Sequence, residues 1–225
     1  MGTDQEETSL VGKWYRRIYG EAYRRMGVPL SIVTLPTMRL TVMADAGEVD
    51  GQPNRLAVYA AEHPNQIRVD EVLFETKLSL YAFDPEDRGS YPKRLEELTS
   101  GKWMVEYRRG VVLCEKVLKP LLPADKLSDI ANTDQGMKKL QGGRTHLLCD
   151  FTLGVEAQLL TPEFKGIAGF RPVLDLGVTL ALYPYVHKNR AELAPRLAET
   201  LKKMKAEGLI DRYFREAKRE IEATR

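Results

Sequence analysis

A chain of 225 residues with a net charge of +2, 43% hydrophobic and 29% charged, has the makeup of a soluble globular protein, long enough for one large domain or two smaller lobes. That charge balance excludes a polyanion-binding surface, and with it nucleic acid as a partner, and it excludes an acidic solvating tail. No apolar run reaches the length of a bilayer, so no membrane insertion is expected. The polar, acidic residues 1–7 are no signal peptide; they fit a native start or a chain whose signal has been removed.

Thr8 or Ser9 caps a first helix that runs to about Met26. Val11, Trp14, Ile18, Ala22 and Met26 form its apolar stripe, and Gly27 is its stop. Lys13, Arg16, Arg17, Arg24 and Arg25 lie largely off that stripe and read as a solvated face. Residues 29–35 read as a strand. A short helix follows, with Pro36 at its first position, Leu40, Met43 and Ala44 on one face and Gly47 at its end. Val49 restarts a strand and Asp50-Gly51 turns the chain. Residues 54–62 read as a helix closed by His63-Pro64-Asn65. Residues 66–69 and 75–83 read as strands, the second apolar on both faces.

Residues 84–90 combine proline, glycine and charge without a hydrophobic anchor, which suits a linker or crossover. Beyond them, residues 91–98 read as a short helix stopped by Gly101, and residues 103–107 as a strand. Arg108-Arg109-Gly110 turns that strand into a helix carrying Val112, Leu113, Val117, Leu118 and Leu121. Residues 127–130 are short and apolar. Asn132 or Thr133 caps a helix through Met137 and Leu140, ended by Gly142-Gly143. Residues 146–151 and 174–183 read as buried strands. Asn189 with Glu192 forms a capping box for a helix built on Leu193, Leu197, Leu201 and Met204 and closed by Gly208. A final helix spans 210–222. Residues 43–50 and 140–146 share a form of helix end, glycine, polar residue and short strand, which suggests two lobes of similar α/β build.

His63, His146 and His187 lie far apart without metal-ligand spacing. No nucleophile elbow, zinc-binding helix motif or phosphate-binding glycine loop occurs. No catalytic residue, metal or cofactor is therefore expected, and the enzyme reading is set aside. Cys114 and Cys149 fit no metal or redox spacing. Two buried free thiols are the preferred reading; a disulfide would favour an oxidising compartment. Arg108-Arg109-Gly110 joins a strand end to a helix start, where free backbone N–H groups collect and an Arg fork can take a carboxylate or phosphate. Two solvated loop arginines are the other reading. Arg39 and Arg55 flank the unit around the 36–46 helix and are either surface charges or anion contacts. Trp14 and Trp103 read as core, and Tyr183 and Tyr185 as packing residues.

Residues 47–51 (Gly-Glu-Val-Asp-Gly), residues 67–69 (Ile-Arg-Val) and residues 95–98 (Leu-Glu-Glu-Leu) before a strand, Gly110 and a helix form an ordered series. Leu140 with Gly143-Arg144, then Leu197, Leu201, Met204 and Gly208, complete it. In this order and spacing the chain resembles, over nearly its whole length, the family-3 extracellular solute-binding proteins. These have the type II periplasmic-binding fold of amino-acid transport systems. The resemblance implies an α/β protein of two lobes, residues 1–83 plus 184–225 and residues 84–183, joined by hinge strands at 75–83 and 174–183. It implies a periplasmic or extracellular protein that closes on a small polar, carboxylate-bearing, amino-acid-like ligand and delivers it to the membrane permease of an ABC transporter. A ligand-sensing module, or a binding fold that has lost its ligand and serves as an interaction protein, is the alternative.

Several family positions differ here. The aspartate that pairs a ligand ammonium falls at Phe151, one residue after Asp150. The family's glycine-threonine pair is Gly110-Val111, and the aspartate of its Gly-Arg-x-Asp turn is His146. The Thr-x-x-Arg carboxylate clamp has no clean counterpart, because the segment between Asp50 and Ile67 is shortened. The opening strand is either absent or supplied in poor form by residues 1–8. The candidate ligand-binding set is Arg39, Arg55, Glu75, Arg108, Arg109, Gly110 and Phe151. The arginines would carry an anionic group, with Glu75 and Asp150 the acids placed to oppose them.

Overall fold

The computed structural model describes residues 1–223; positions 224 and 225 of the expected first lobe lie outside the described residues. The chain starts with a two-residue strand, β1 (Gly2–Thr3), and enters α1 (Leu10–Met26) where Gly12 N donates to Ser9 Oγ at 3.0 Å. Gly27, at a φ of 67°, ends α1 as expected. The next strand, β2 (Val33–Thr34), pairs in parallel with β1. Residues 1–8 thus do supply a short opening strand, and the expected strand at 29–35 shrinks to two residues. Then follow α2 (Thr37–Ala46), β3 (Gly51–Leu56), α3 (Tyr59–Glu62) and β4 (Gln66–Arg68).

Residues 54–56 are strand rather than the expected helix. Gly51 explains it: a Cβ there would lie 2.6 Å from the Tyr185 carbonyl oxygen, so only glycine admits this close pairing. The chain continues through β5 (Phe74–Phe83), β6 (Val105–Arg108), α4 (Val112–Leu118), β7 (Leu127–Ile130), α5 (Thr133–Gln141) and β8 (Leu147–Phe151). It ends with α6 (Thr152–Leu159), β9 (Phe170–His187), α7 (Leu193–Ala206) and α8 (Leu209–Ala223). Two units emerge, Met1–Glu75 with Ala181–Arg225, and Thr76–Leu180. The chain passes between them within β5 and β9.

In the first unit, the last part of β9 is flanked by β3 and β4, both antiparallel. Helix α1 packs on α7 and α8 through Trp14, Ile18 and Ala22, all buried. The Trp14 indole donates to the Ile210 carbonyl at 2.9 Å, and its ring centre lies 4.9 Å from Phe74 and 5.1 Å from Phe214. The basic residues of α1 do not form a free solvated face. Lys13 and Arg17 both bond Glu220, and Arg25 takes Glu207 with two bonds at 2.6 and 2.7 Å. The stripe of α7 is buried as expected, but the capping box does not form. Glu192 stands at the N-cap without a side-chain bond, and Asn189 N donates instead to His187 Nδ1 within a 3₁₀ turn.

In the second unit the strands run in the order β9–β5–β8–β6–β7. Strand β5 is antiparallel to β8, while β6 is parallel to both β7 and β8. Strand alternation feeds two cores. Leu78, Leu80, Leu147 and Cys149 join Trp103, Val111, Cys114 and Leu118, whereas Tyr81 and Leu148 join Ile130, Met137, Leu140, Val155 and Phe164. The expected helix at 91–98 is a 3₁₀ turn at Leu95–Ser100, and α6 was not foreseen.

The preferred free thiols are overturned. Cys114 and Cys149 form a disulfide, with Cα atoms 6.0 Å apart and both residues fully buried. Packing of α4 on β8 makes the link: two side chains separated by 35 positions meet between a helix and the strand beneath it.

Candidate functional site

The carboxyl ends of the parallel strands β6, β7 and β8 converge in the second unit. Register places Tyr107 opposite Cys149 and Arg108 opposite Ile130, so Arg108 reaches the carboxyl end of β8. Its Nε donates to both oxygens of Asp150, at 2.9 and 3.0 Å. The Asp150 side chain is fully buried, and that of Arg108 is 30% exposed. Thr133 Oγ1, at the start of α5, donates to Asp150 Oδ2 at 2.6 Å, and the Phe151 amide donates to Oδ1 at 2.8 Å. The Asn132 side chain holds that helix start by accepting from Gln135 N at 2.9 Å. The Arg108 guanidinium carbon lies 5.6 Å from the centre of the Phe151 ring. Nη1 and Nη2 of Arg108 have no hydrogen-bond partner among the described residues. The cluster is thus a charged pair held from below, with two donor groups left over.

Arg109 and Gly110 fare differently. Arg109 is exposed and pairs with Asp129 of β7 at 2.7 Å. Its hydrogen bond draws the Asp129 carboxyl below the usual carboxylate range. Asp129, an acid outside the expected pair, thus opposes Arg109, and Asp150 opposes Arg108. Gly110 adopts a φ of 87°, which lets β6 turn directly into α4.

Of the candidates in the first unit, Arg55 sits in β3 opposite Tyr183. Its Nε donates to Gln52 Oε1 at 2.9 Å, and its guanidinium lies 5.2 Å from the Tyr59 ring centre. Arg55 Nη2 is buried without a partner. Gln52, fully buried, also donates to Tyr59 Oη at 3.1 Å and to Gln66 Oε1 at 3.3 Å. Arg39 is exposed on α2, and Glu75 is exposed at the second position of β5. Sequence reasoning missed Thr133, seen only as a cap, and Gln52 and Tyr59. The signal for Thr133 was its place one helix start beyond a strand parallel to β6.

No family model matches the chain. It is 33% identical over 210 residues to an uncharacterised protein of Shewanella oneidensis, covering 93% of this chain and 78% of that one. The chain belongs to the family of that protein. Among solved structures, an amino-acid ABC transporter substrate-binding protein of Streptococcus pneumoniae bound to L-arginine matches with a TM-score of 0.71. It covers 92% of this chain and 84% of its own at 14% identity. An ancestral amino-acid-binding protein, a precursor of cyclohexadienyl dehydratase, matches with a TM-score of 0.72 over 96% and 92% of the two chains, also at 14% identity. The fold is therefore the two-lobed type II periplasmic-binding fold, as the sequence resemblance implied. Within this fold Arg108 and Asp150 occupy the carboxyl ends of parallel strands, where open α/β sheets bind ligands. Among the described residues no helix is long and apolar enough to cross a membrane, and no group of His, Cys, Asp and Glu is placed to hold a metal.

Proposed function

We propose that the protein is an extracytoplasmic solute-binding protein that captures a small polar, carboxylate-bearing ligand for an ABC transporter, with Arg108 as a ligand contact. The observation that carries this reading is Arg108 itself. It is half-buried at three converging strand ends, oriented by a buried carboxylate and provided with two unpartnered Nη groups. A guanidinium fork fixed in this way is a ready partner for a planar oxyanion. The Cys114–Cys149 bridge supports an oxidising compartment. The relatives by fold, which bind amino acids, support a solute of that size.

A thermal-shift screen of amino acids, organic acids and short peptides tests the reading. A ligand present at about a hundred times its Kd stabilises the folded state by about 2.7 kcal/mol. For a chain of this length that is a rise of roughly 5–10 °C in Tm. A screen in which no compound raises Tm would refute the proposal.

A further inference from the structure

We infer that the binding surface of the second unit selects an oxyanion and turns away a cation, so that the solute is an organic acid group and not the ammonium or guanidinium end of a cationic amino acid. The inference rests on the solute-binding reading above and adds the ligand class.

The argument is an accounting of lone pairs. An ionised carboxylate offers about four acceptor sites. In Asp150, Oδ1 accepts from Arg108 Nε at 2.9 Å and from the Phe151 amide at 2.8 Å. Oδ2 accepts from Arg108 Nε at 3.0 Å and from Thr133 Oγ1 at 2.6 Å. The carboxylate is buried and fully engaged, so it has no acceptor left for a ligand N–H. Of the neighbouring acids, Asp129 holds Arg109. Glu106, two residues back in β6, is buried; its Oε1 accepts from Lys139 Nζ at 2.5 Å and from Ser128 Oγ at 3.1 Å, and its Oε2, which has no partner, is closed off from the surface. Among the described residues, the side-chain groups of the Arg108–Asp150 pair left for a ligand are donors: Nη1 and Nη2 of Arg108. A ligand cation there would meet a guanidinium whose carboxylate partner has no acceptor to spare, and two facing positive charges in a partly desolvated place repel. A ligand carboxylate would find a two-pronged donor already oriented by Asp150. The Phe151 ring covers one side of the guanidinium and removes water that would compete for it.

Isothermal titration of the whole chain with succinate, L-glutamate and L-arginine tests this. Arg108→Lys is the informative variant. It keeps a positive charge for Asp150, and so spares the fold, but its single ammonium is used up by that carboxylate and offers no fork. Urea unfolding checks that the variant folds as the parent does. The expected result is binding of succinate or L-glutamate by the parent, a loss of tenfold or more in Arg108→Lys, and no binding of L-arginine. Binding of L-arginine that Arg108→Lys leaves unchanged overturns the inference and leaves the solute-binding reading standing. Failure of both acids to bind at millimolar concentration also overturns it. The solute-binding reading falls only if the wider thermal-shift screen is empty too.

Discussion

Breaking the Cys114–Cys149 bridge should destabilise the second unit and leave the first nearly untouched, because both cysteines belong to Thr76–Leu180. The bridge closes a loop of 35 positions. Chain entropy for a loop of that length gives about 4 kcal/mol of stabilisation lost on reduction. Both sulfurs are fully buried between α4 and β8, so two free thiols must also separate inside a packed core, which adds strain rather than relief. The two tryptophans report on the units separately. Trp14 lies in the first and Trp103 in the second, and both are buried. Single-tryptophan variants, Trp103→Phe and Trp14→Phe, can therefore be unfolded in urea with the bridge intact and after reduction. With an m value of about 1–3 kcal/mol/M, the Trp103 midpoint should fall by roughly 1–4 M while the Trp14 midpoint moves far less. A Trp103 midpoint that does not move on reduction would refute the reasoning.

High pH should unfold the first unit. Burial pushes the Tyr15 and Tyr19 hydroxyls well above the usual value near 10 and raises Tyr23 to about 12. The folded state holds these protons more tightly than the unfolded one, so their contribution is complete below pH 10 and is lost as pH rises through 10 toward 12 and beyond. Absorbance of tyrosinate near 295 nm, followed together with circular dichroism, should show a late group of tyrosines ionising only as α1 melts; ten tyrosines titrating together near 10 with the fold intact would contradict this. Within α1, Ile18→Ala should cost about 2–5 kcal/mol because Ile18 is fully buried. Glu220→Gln, which weakens pairs with Lys13 and Arg17 at a partly exposed edge, should cost no more than about 1 kcal/mol and less in high salt. Denaturation of both variants in low and high salt checks the contrast.

The parts of the fold that could be read from the sequence are those fixed by local chemistry. The α1 stripe from Val11 to Ala22 and its Ser9 and Gly27 ends rest on helical spacing and cap residues, and they appear as read. The double-sided apolar character of β5 was legible because both its faces are core. What local chemistry could not fix was set by distant partners. Asn54 and Arg55 read as helical, yet they are strand because Gly51 admits the Tyr185 carbonyl at close range. The cysteines looked like two thiols because their meeting depends on where α4 lands on the sheet. The basic residues of α1 looked solvated because Glu207 and Glu220 come from the far end of the chain.

The candidate site shows the same division within two adjacent residues. Arg108 and Arg109 are equivalent in the sequence, both next to a strand end and a glycine. Side chains of a strand alternate between its faces, so consecutive residues cannot share a destination. Arg108 falls on the α5 side, where Glu106 also lies and where parallel register brings Asp150 from 42 positions away. Arg109 falls just past the strand, its amide bonded to the Ile130 carbonyl at 2.8 Å, and it meets Asp129 in the open. Burial then separates their roles. The pair formed with Asp129 is exposed and contributes little. The pair formed with Asp150 cannot be broken without stranding a buried carboxylate, a loss of several kcal/mol. That cost holds the Arg108 guanidinium in place. The strand's period of two therefore decides which of two identical arginines is fixed by a buried carboxylate and which is left on the surface.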